Sequence, residues 1–300
     1  EQVTTLRVGD RVGLGAHCWS CSKASCRHCS QGREQLCPQV GFTAVSELTD
    51  ETGTHLHRGG FASMVRTDAR FCVKVPAELP LESVAPLLCA GVTVYAAMTR
   101  IGITADSKVA VTGIGGLGHL AIMFALAMGA QVTAVSASMD KQPDAKRLGA
   151  HNFVYSKDSK QMEAVADNFD FVLCTVSGSA NVSRYVSLLR SNGTLCLLGL
   201  PKQAVTVLPT RLVFDQISIT GSAGGSVADL RATLEFAARH KVKPEVEVFP
   251  MSSANEAVAR LRDNKARYRV VLKAETQNHY VQLPSDIDGL RDVIEADDSK

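Results

Sequence analysis

Lys108-Val109-Ala110-Val111-Thr112-Gly113-Ile114-Gly115-Gly116-Leu117-Gly118 is the stretch on which the reading of this 300-residue chain turns. Its first five residues are the apolar, β-branched run of a buried strand, and the largely apolar residues 117–128 suit a helix. Between them lies G-x-G-x-x-G, a pattern weak alone and strong where a strand feeds it and a helix leaves it. Gly113 permits the tight turn and Gly115 lets backbone approach a pyrophosphate. Gly118 allows close helix–strand packing, while the free N–H groups and dipole of the helix start attract the anion. The stretch therefore predicts a dinucleotide-binding unit held by Gly113, Ile114, Gly115, Gly116, Leu117 and Gly118.

Working outward, residues 131–135, 153–155, 169–174, 194–198 and 217–222 read as further strands, with helix-length segments between them and a helix over 227–240. Strands alternating with helices predict a doubly wound parallel sheet covered on both faces. The ends differ. Val8-Gly9-Asp10-Arg11-Val12, Gly59-Gly60-Phe61-Ala62 and Cys72-Val73-Lys74-Val75-Pro76 are short β-type runs, and residues 246–251 and 269–273 enclose a helix over 254–264. The middle reads as inserted: a nucleotide domain over 96–241, and one discontinuous domain from 1–95 and 242–275. Residues 276–300 form an acidic tail in which Ile287, Leu290 and Ile294 share one face of a short helix after Ser285.

The end of the second strand bears on which dinucleotide binds. An acid usually holds a free ribose 2′-hydroxyl about 20 residues into such a unit. Here the place reads Val135-Ser136-Ala137-Ser138-Met139-Asp140-Lys141. Ser136 stands where the acid is expected, Ser138 offers a further hydrogen bond, and Lys141 brings positive charge. Hydroxyls with a cation suit a 2′-phosphate, which favours NADP(H). Asp140, turned inward, would instead serve as the ribose acid.

Lys and Arg number 32 against 30 Asp and Glu, a net charge of +2 that calls for neither nucleic acid nor a membrane surface. No apolar run is read as approaching the roughly 20 residues of a transmembrane helix. Glu1-Gln2-Val3-Thr4-Thr5 lacks a signal-peptide pattern, so the expectation is a cytoplasmic protein. Nine cysteines are many for that compartment, and five fall in Cys18-x2-Cys21-x4-Cys26-x2-Cys29-x7-Cys37. A tight cluster in a reducing compartment means metal more often than disulfide. Four thiolates make a closed tetrahedral zinc shell. Cys26, Cys29 and Cys37 are the firm ligands, and Cys21 or Cys18 is the fourth. His17 and His28 read as surface residues.

With these motifs in order, the chain resembles the medium-chain, zinc-dependent alcohol dehydrogenases, and within them the cinnamyl-alcohol-dehydrogenase-like, NADP-using branch. The resemblance runs from about Val8 to about Lys273. It rests on Val8-Gly9-Asp10-Arg11-Val12-Gly13-Leu14-Gly15, the cysteine loop, Gly59-Gly60-Phe61-Ala62, and Ala85-Pro86-Leu87-Leu88-Cys89-Ala90-Gly91-Val92-Thr93-Val94-Tyr95. It continues through residues 113–119, Gly221-Ser222-Ala223-Gly224-Gly225 and Tyr268-Arg269-Val270-Val271. It implies a Rossmann domain set in an incomplete GroES-like β-barrel domain, and an enzyme interconverting primary alcohols and aldehydes. Cys89 would ligate a catalytic zinc that polarises the substrate oxygen. Thr93 would lie under the nicotinamide, Thr175, Val176, Leu198, Gly199 and Leu200 would line the crevice, Ser222 and Ala223 would flank the nicotinamide, and Arg269 would meet a phosphate. His119 reads as packing against the sheet.

Two departures from the family pattern are visible. Four residues separate Cys21 from Cys26 where the family has two, which predicts a longer loop with Cys18 left over. The sequence also starts after the family's cysteine-histidine and Gly-His-Glu segments, which carry the remaining catalytic ligands; poor turnover by this chain is the resulting expectation. The rival readings are a zinc-free quinone or enone reductase and a non-catalytic NADPH-binding protein. The small alcohol or aldehyde and the oligomeric state stay open; the resemblance adds that family members commonly pair as homodimers through the edge of the nucleotide sheet.

Overall fold

A computed structural model describes residues 3–274 apart from 45, 51, 52, 58 and 178–180. The elements that position the site are the helix Val92–Ile101 (α1), the strand Lys108–Thr112 (β1), the helix Gly118–Ala127 (α2), and the strands Gln131–Ser136 (β2), Asn152–Tyr155 (β3), Phe169–Cys174 (β4), Leu189–Leu197 (β5) and Ser218–Gly221 (β6). The helix Val227–His240 (α3) and the strands Val246–Pro250 (β7) and Arg269–Lys273 (β8) follow. All six middle strands join one parallel sheet in the order β3-β2-β1-β4-β5-β6. The order reverses between β1 and β4, which opens a crevice beyond their carboxyl ends.

The sheet forms because its strands are apolar on both faces. On β1, Val109 and Val111 enter the core shared with Leu120, Ile122, Phe124, Leu230 and Leu234, so α2 and α3 cover that side. Ala110 faces the second core, with Val135, Val172, Cys174, Tyr185 and Leu195. Near-complete burial of both faces is what parallel strands require. The N-cap of α3 is a capping box: Ser226 Oγ accepts from the Asp229 N–H (3.1 Å), and the Asp229 carboxylate accepts from the Ser226 N–H (2.8 Å).

The flanking segments form small separate sheets. Val12–Leu14 pairs antiparallel with Cys72–Lys74, His17–Trp19 with Gly41–Phe42, and Ser46–Asp50 with Gly53–His57; β7 and β8 run parallel. Several expectations need correction. The strand read at 8–12 begins instead at Val12, because Val8 is fully exposed and Gly9 turns the chain at φ 93°. Gly59-Gly60-Phe61-Ala62 forms no strand, Gly59 taking φ 93°. The uninterrupted helical stretch Leu81–Ile101, 21 residues, is also long and apolar enough to cross a membrane, contrary to the sequence reading. Its Val84, Leu87, Val92, Val94, Ala97 and Met98 are buried in the core that covers the sheet. The expected acidic tail lies outside the described residues.

Candidate functional site

Two sites emerge, a crevice at the carboxyl ends of β1, β2, β4 and β5 and a four-cysteine loop. At the crevice the chain leaves β1 through Gly113, whose φ of 88° favours glycine. Here the oxygen of Gly113 lies so near Gly118 that a Cβ on Gly118 would stand 1.8 Å from it. Gly115, by contrast, is exposed and has nothing within 4 Å of where a Cβ would stand. The two glycines thus divide their work: one closes the packing and the other keeps space open for an incoming group. Thr175, after β4, shares its hydroxyl between the carbonyls of Thr112 (2.9 Å) and Gly113 (3.0 Å), so the crevice wall holds the turn. Gly199 packs on the Val176 backbone with a virtual Cβ 2.0 Å from its oxygen. Leu198 is buried beside it, while Leu200 is 85% exposed and points away from the packed wall.

Arg269 reaches this turn from β8. Its Nε–H donates to the carbonyl of Gly116 (2.9 Å), and a Cβ on Gly116 would collide with the guanidinium. Burial pushes the Arg269 pKa down. Among the described residues no carboxylate pairs with it. A half-buried, unpaired guanidinium against an anion-binding turn is built for a phosphate.

At the end of β2, Ser136 is buried and its Oγ accepts from the Ser138 N–H (3.2 Å), leaving its own O–H to give. Ser138 Oγ donates to Asp140 (3.4 Å), and Asp140 is exposed. Lys141 closes the same turn, its side chain 18% exposed and its Nζ 3.7 Å from Asp144. Burial, then the nearby Arg267 charge, lower its pKa.

Cys89 sits in a π-helical turn, Leu87–Gly91, immediately before α1. Such turns re-aim a side chain and are common at functional sites. Cys89 is exposed and lines a pocket with His17, Glu34, Gln35, Phe71, Thr93 and the Gly224-Gly225 backbone. Thr93, one turn on, donates its hydroxyl to the Cys89 carbonyl (2.8 Å). Ser222 follows β6, its N–H bonded to the Leu197 carbonyl, with exposed Ala223 next. The pocket holds two buried side-chain oxygens without a partner, Glu34 Oε2 and Gln35 Oε1, which the sequence reading passed over. Among the described residues Cys89 belongs to no group of three or more candidate metal ligands. The described residues therefore supply one ligand to a catalytic metal and do not by themselves fit one.

The cysteine loop does fit a metal. Sγ atoms of Cys21, Cys26, Cys29 and Cys37 all lie within 4.8 Å of one another, with Cys21 and Cys29 at 3.7 Å. Zinc–sulfur bonds of about 2.3 Å in a tetrahedron place sulfurs about 3.8 Å apart. The open choice of fourth ligand falls on Cys21. Cys18 is buried and gives its thiol to the Gly41 carbonyl at 3.6 Å. Ser22, at a left-handed φ of 48°, reverses the chain so that a cysteine with the longer spacing reaches the cluster. N–H groups of Cys29 and His28 draw Cys26 down to about 7. Cys21, despite the Lys23 N–H, is pushed up to about 12 by burial and by its neighbouring thiols. Four thiols this close cannot all ionise unless a cation sits among them. His17 is not a surface residue: it is half-buried, its ring tilted against that of Phe42 at 52° with ring centres 5.2 Å apart.

Comparison with known proteins decides the family. Residues 1–77 match the alcohol dehydrogenase GroES-like domain, and residues 116–239 match the zinc-binding dehydrogenase domain. The chain is 38% identical over 272 residues to NADP-dependent alcohol dehydrogenase C 1 of Mycolicibacterium smegmatis, covering 91% of this chain and 77% of that one. The chain belongs to the zinc-binding alcohol dehydrogenase family. A probable cinnamyl alcohol dehydrogenase of Oryza sativa subsp. japonica is 41% identical over 281 residues, 93% of this chain and 75% of the relative. A cinnamyl alcohol dehydrogenase structure from Sorghum bicolor superposes with a TM-score of 0.85 at 36% identity, over 92% of this chain and 79% of that one. The Helicobacter pylori cinnamyl alcohol dehydrogenase solved with NADP(H) gives 0.78 at 32%, over 90% and 76%. The members of this family thus carry the GroES-like and Rossmann units that the sequence patterns implied.

Proposed function

We propose that this dehydrogenase interconverts primary alcohols and aldehydes with NADP(H) and zinc. The observation that carries it is Arg269, whose Nε–H donates to Gly116 in the glycine turn and which meets no carboxylate among the described residues, in a chain 38–41% identical to NADP-dependent and cinnamyl alcohol dehydrogenases. NADP(H), when bound, would supply the hydride; among the described residues Cys89 is the one group placed to ligate a zinc that would polarise the substrate oxygen. The residues of the chain bind and orient. The turn from Gly113 to Gly118 offers N–H groups to the pyrophosphate, and Arg269 neutralises its charge. Ser136, with a free O–H, and Lys141 meet the 2′-phosphate; Asp140 lies beside Ser138 and on the exposed side. Thr93, tied to the Cys89 carbonyl, fixes the first turn of α1 under the nicotinamide.

The domain boundaries 1–95 with 242–275 and 96–241, a cytoplasmic location and a homodimer are part of the same proposal. The dimer reading is supported by β6, an edge strand, and by exposed Leu208, Val213 and Phe214 nearby in the chain. The test is a fluorescence titration with NADPH and NADH, followed by a steady-state assay with a panel of aromatic and aliphatic aldehydes. NADPH is expected to bind at least about tenfold more tightly, a difference of about 1.4 kcal/mol. Equal affinities would hand the choice to Asp140. Reduction of enones but of no aldehyde would favour the reductase reading.

A further inference from the structure

Besides Asp144 three residues on, a group from a distant part of the chain holds Lys141 in place. Its ammonium lies 4.5 Å from the centre of the Tyr268 ring, immediately before β8. The same ring stacks on His119 of α2, with centroids 5.0 Å apart and an interplanar angle of 21°. Nδ1 of His119 is 3.0 Å from the carbonyl of Gly115, the glycine that leaves space at the turn. Tyr268 is 4% exposed, and its hydroxyl donates to Asp144. That carboxylate is shared among Lys141 (3.7 Å), Arg147 (2.7 Å) and Arg267 (3.4 Å), so it is no dedicated counter-ion for the lysine.

A lysine ammonium on a four-carbon stem samples many rotamers when free. One already laid on an aromatic face has less freedom to surrender when an anion arrives, and affinity gained by preorganisation is of this kind. The attraction of a cation to a ring face is modest, yet it acts on the one side chain whose charge separates the two cofactors.

We propose that Tyr268 is a positioning residue for cofactor choice, its ring holding the Lys141 ammonium at the end of β2 so that a 2′-phosphate meets a charge already in place. This rests on the reading that Ser136, Ser138 and Lys141 face the 2′-phosphate. Cofactor preference is then written partly in the segment that follows the nucleotide unit, in a residue that touches no phosphate itself.

The experiment titrates NADPH and NADH against the wild-type protein, Tyr268→Leu, Tyr268→Phe, Lys141→Ala and the Tyr268→Leu/Lys141→Ala double variant. Tyr268→Leu should lower the NADPH-over-NADH preference about three- to fivefold, the scale of a cation–ring contact. Tyr268→Phe should retain the preference, and the double variant should match Lys141→Ala alone. An equal loss for both cofactors in Tyr268→Leu would assign the ring a purely structural role. So would a further loss of preference in the Lys141→Ala background. If Lys141→Ala leaves the preference intact, the 2′-phosphate reading falls and this one with it; if Lys141→Ala lowers it while Tyr268→Leu does not, only the positioning role is lost. A measurement on the wild-type chain guards against a variant that fails to fold. After reductive methylation, the Lys141 methyl resonance, assigned with Lys141→Arg, should show an upfield ring-current shift. Its absence would overturn the proposal.

Discussion

Gly118 and the carbonyl of Gly113 are in such close contact that a single methyl group on Gly118 would stand 1.8 Å from that oxygen. The obstacle is backbone on both sides, with no flexible side chain to move away. Gly118→Ala should therefore destabilise the protein by about 3 kcal/mol or more and abolish binding of both cofactors. Gly115→Ala should leave the stability within about 1 kcal/mol of wild type, because nothing occupies the space its methyl would enter. It should nonetheless weaken both cofactors, since that space is where the pyrophosphate approaches. Urea unfolding and cofactor titration on the two variants check this, and a Gly115→Ala protein with wild-type affinity would move the pyrophosphate elsewhere.

The four-thiolate loop should hold one zinc per chain. Elemental analysis should find it lost from Cys29→Ser and Cys21→Ser, and retained in Cys18→Ser, whose thiol bonds Gly41 outside the cluster. A chelator that strips the metal should loosen residues 21–37, because short turns such as Cys29–Gln31 and Glu34–Leu36 bury no apolar side chain to hold them otherwise.

Arg269→Ala should weaken NADPH and NADH alike, by about tenfold or more, the scale of one charge-assisted phosphate contact. Equal loss is the diagnostic result, since both cofactors carry the pyrophosphate. A loss confined to NADPH would place Arg269 at the 2′-phosphate instead.

His119 gives a pH dependence with a definite sign. Burial brings its pKa from 6.5 down to about 4, with the Arg269 and Arg147 charges adding to the effect and bonds to the Gly115 and Gly116 backbone opposing it. The Gly115 carbonyl can only accept, so Nδ1 carries the proton, and Nε2 is left buried without a partner. The unfolded chain takes up a proton near 6.5 that the folded one refuses until about 4. The contribution of the neutral ring is complete above 6.5 and is lost as pH falls from there through about 4, up to roughly 3 kcal/mol. Urea unfolding at pH 7.5 and 4.5 should show a smaller loss in His119→Gln than in wild type; identical losses would refute the assignment. Thiolate protonation at the zinc loop affects both proteins and cancels in the difference.

Much of this was legible because it is local. The glycine fingerprint, the strand before it and the serines after β2 lie within about thirty consecutive residues, and periodicity reads such stretches well. Spacing alone picks out three ligands of the cysteine loop, and the resemblance to the family adds the fourth, Cys21, by leaving Cys18 over. What spacing does not announce is the left-handed turn at Ser22, directly after Cys21. The helix from Leu81 escaped notice because it carries Pro86 and β-branched Val84, Val92, Thr93 and Val94, and it is held by the core it enters. Tyr268 escaped for another reason. An aromatic residue before a strand reads as core, and only three-dimensional proximity shows that Lys141 and His119 meet on its ring.

The bond between Arg269 and Gly116 spans 153 positions, and this sets an order of events during synthesis. At translation rates of about 5–20 residues per second, the glycine turn waits roughly 8–30 seconds for its arginine. Strands β2 to β6 and helix α2 emerge in that interval. The phosphate end of the nucleotide site, Arg269 included, is therefore complete only once β8 has docked on the turn.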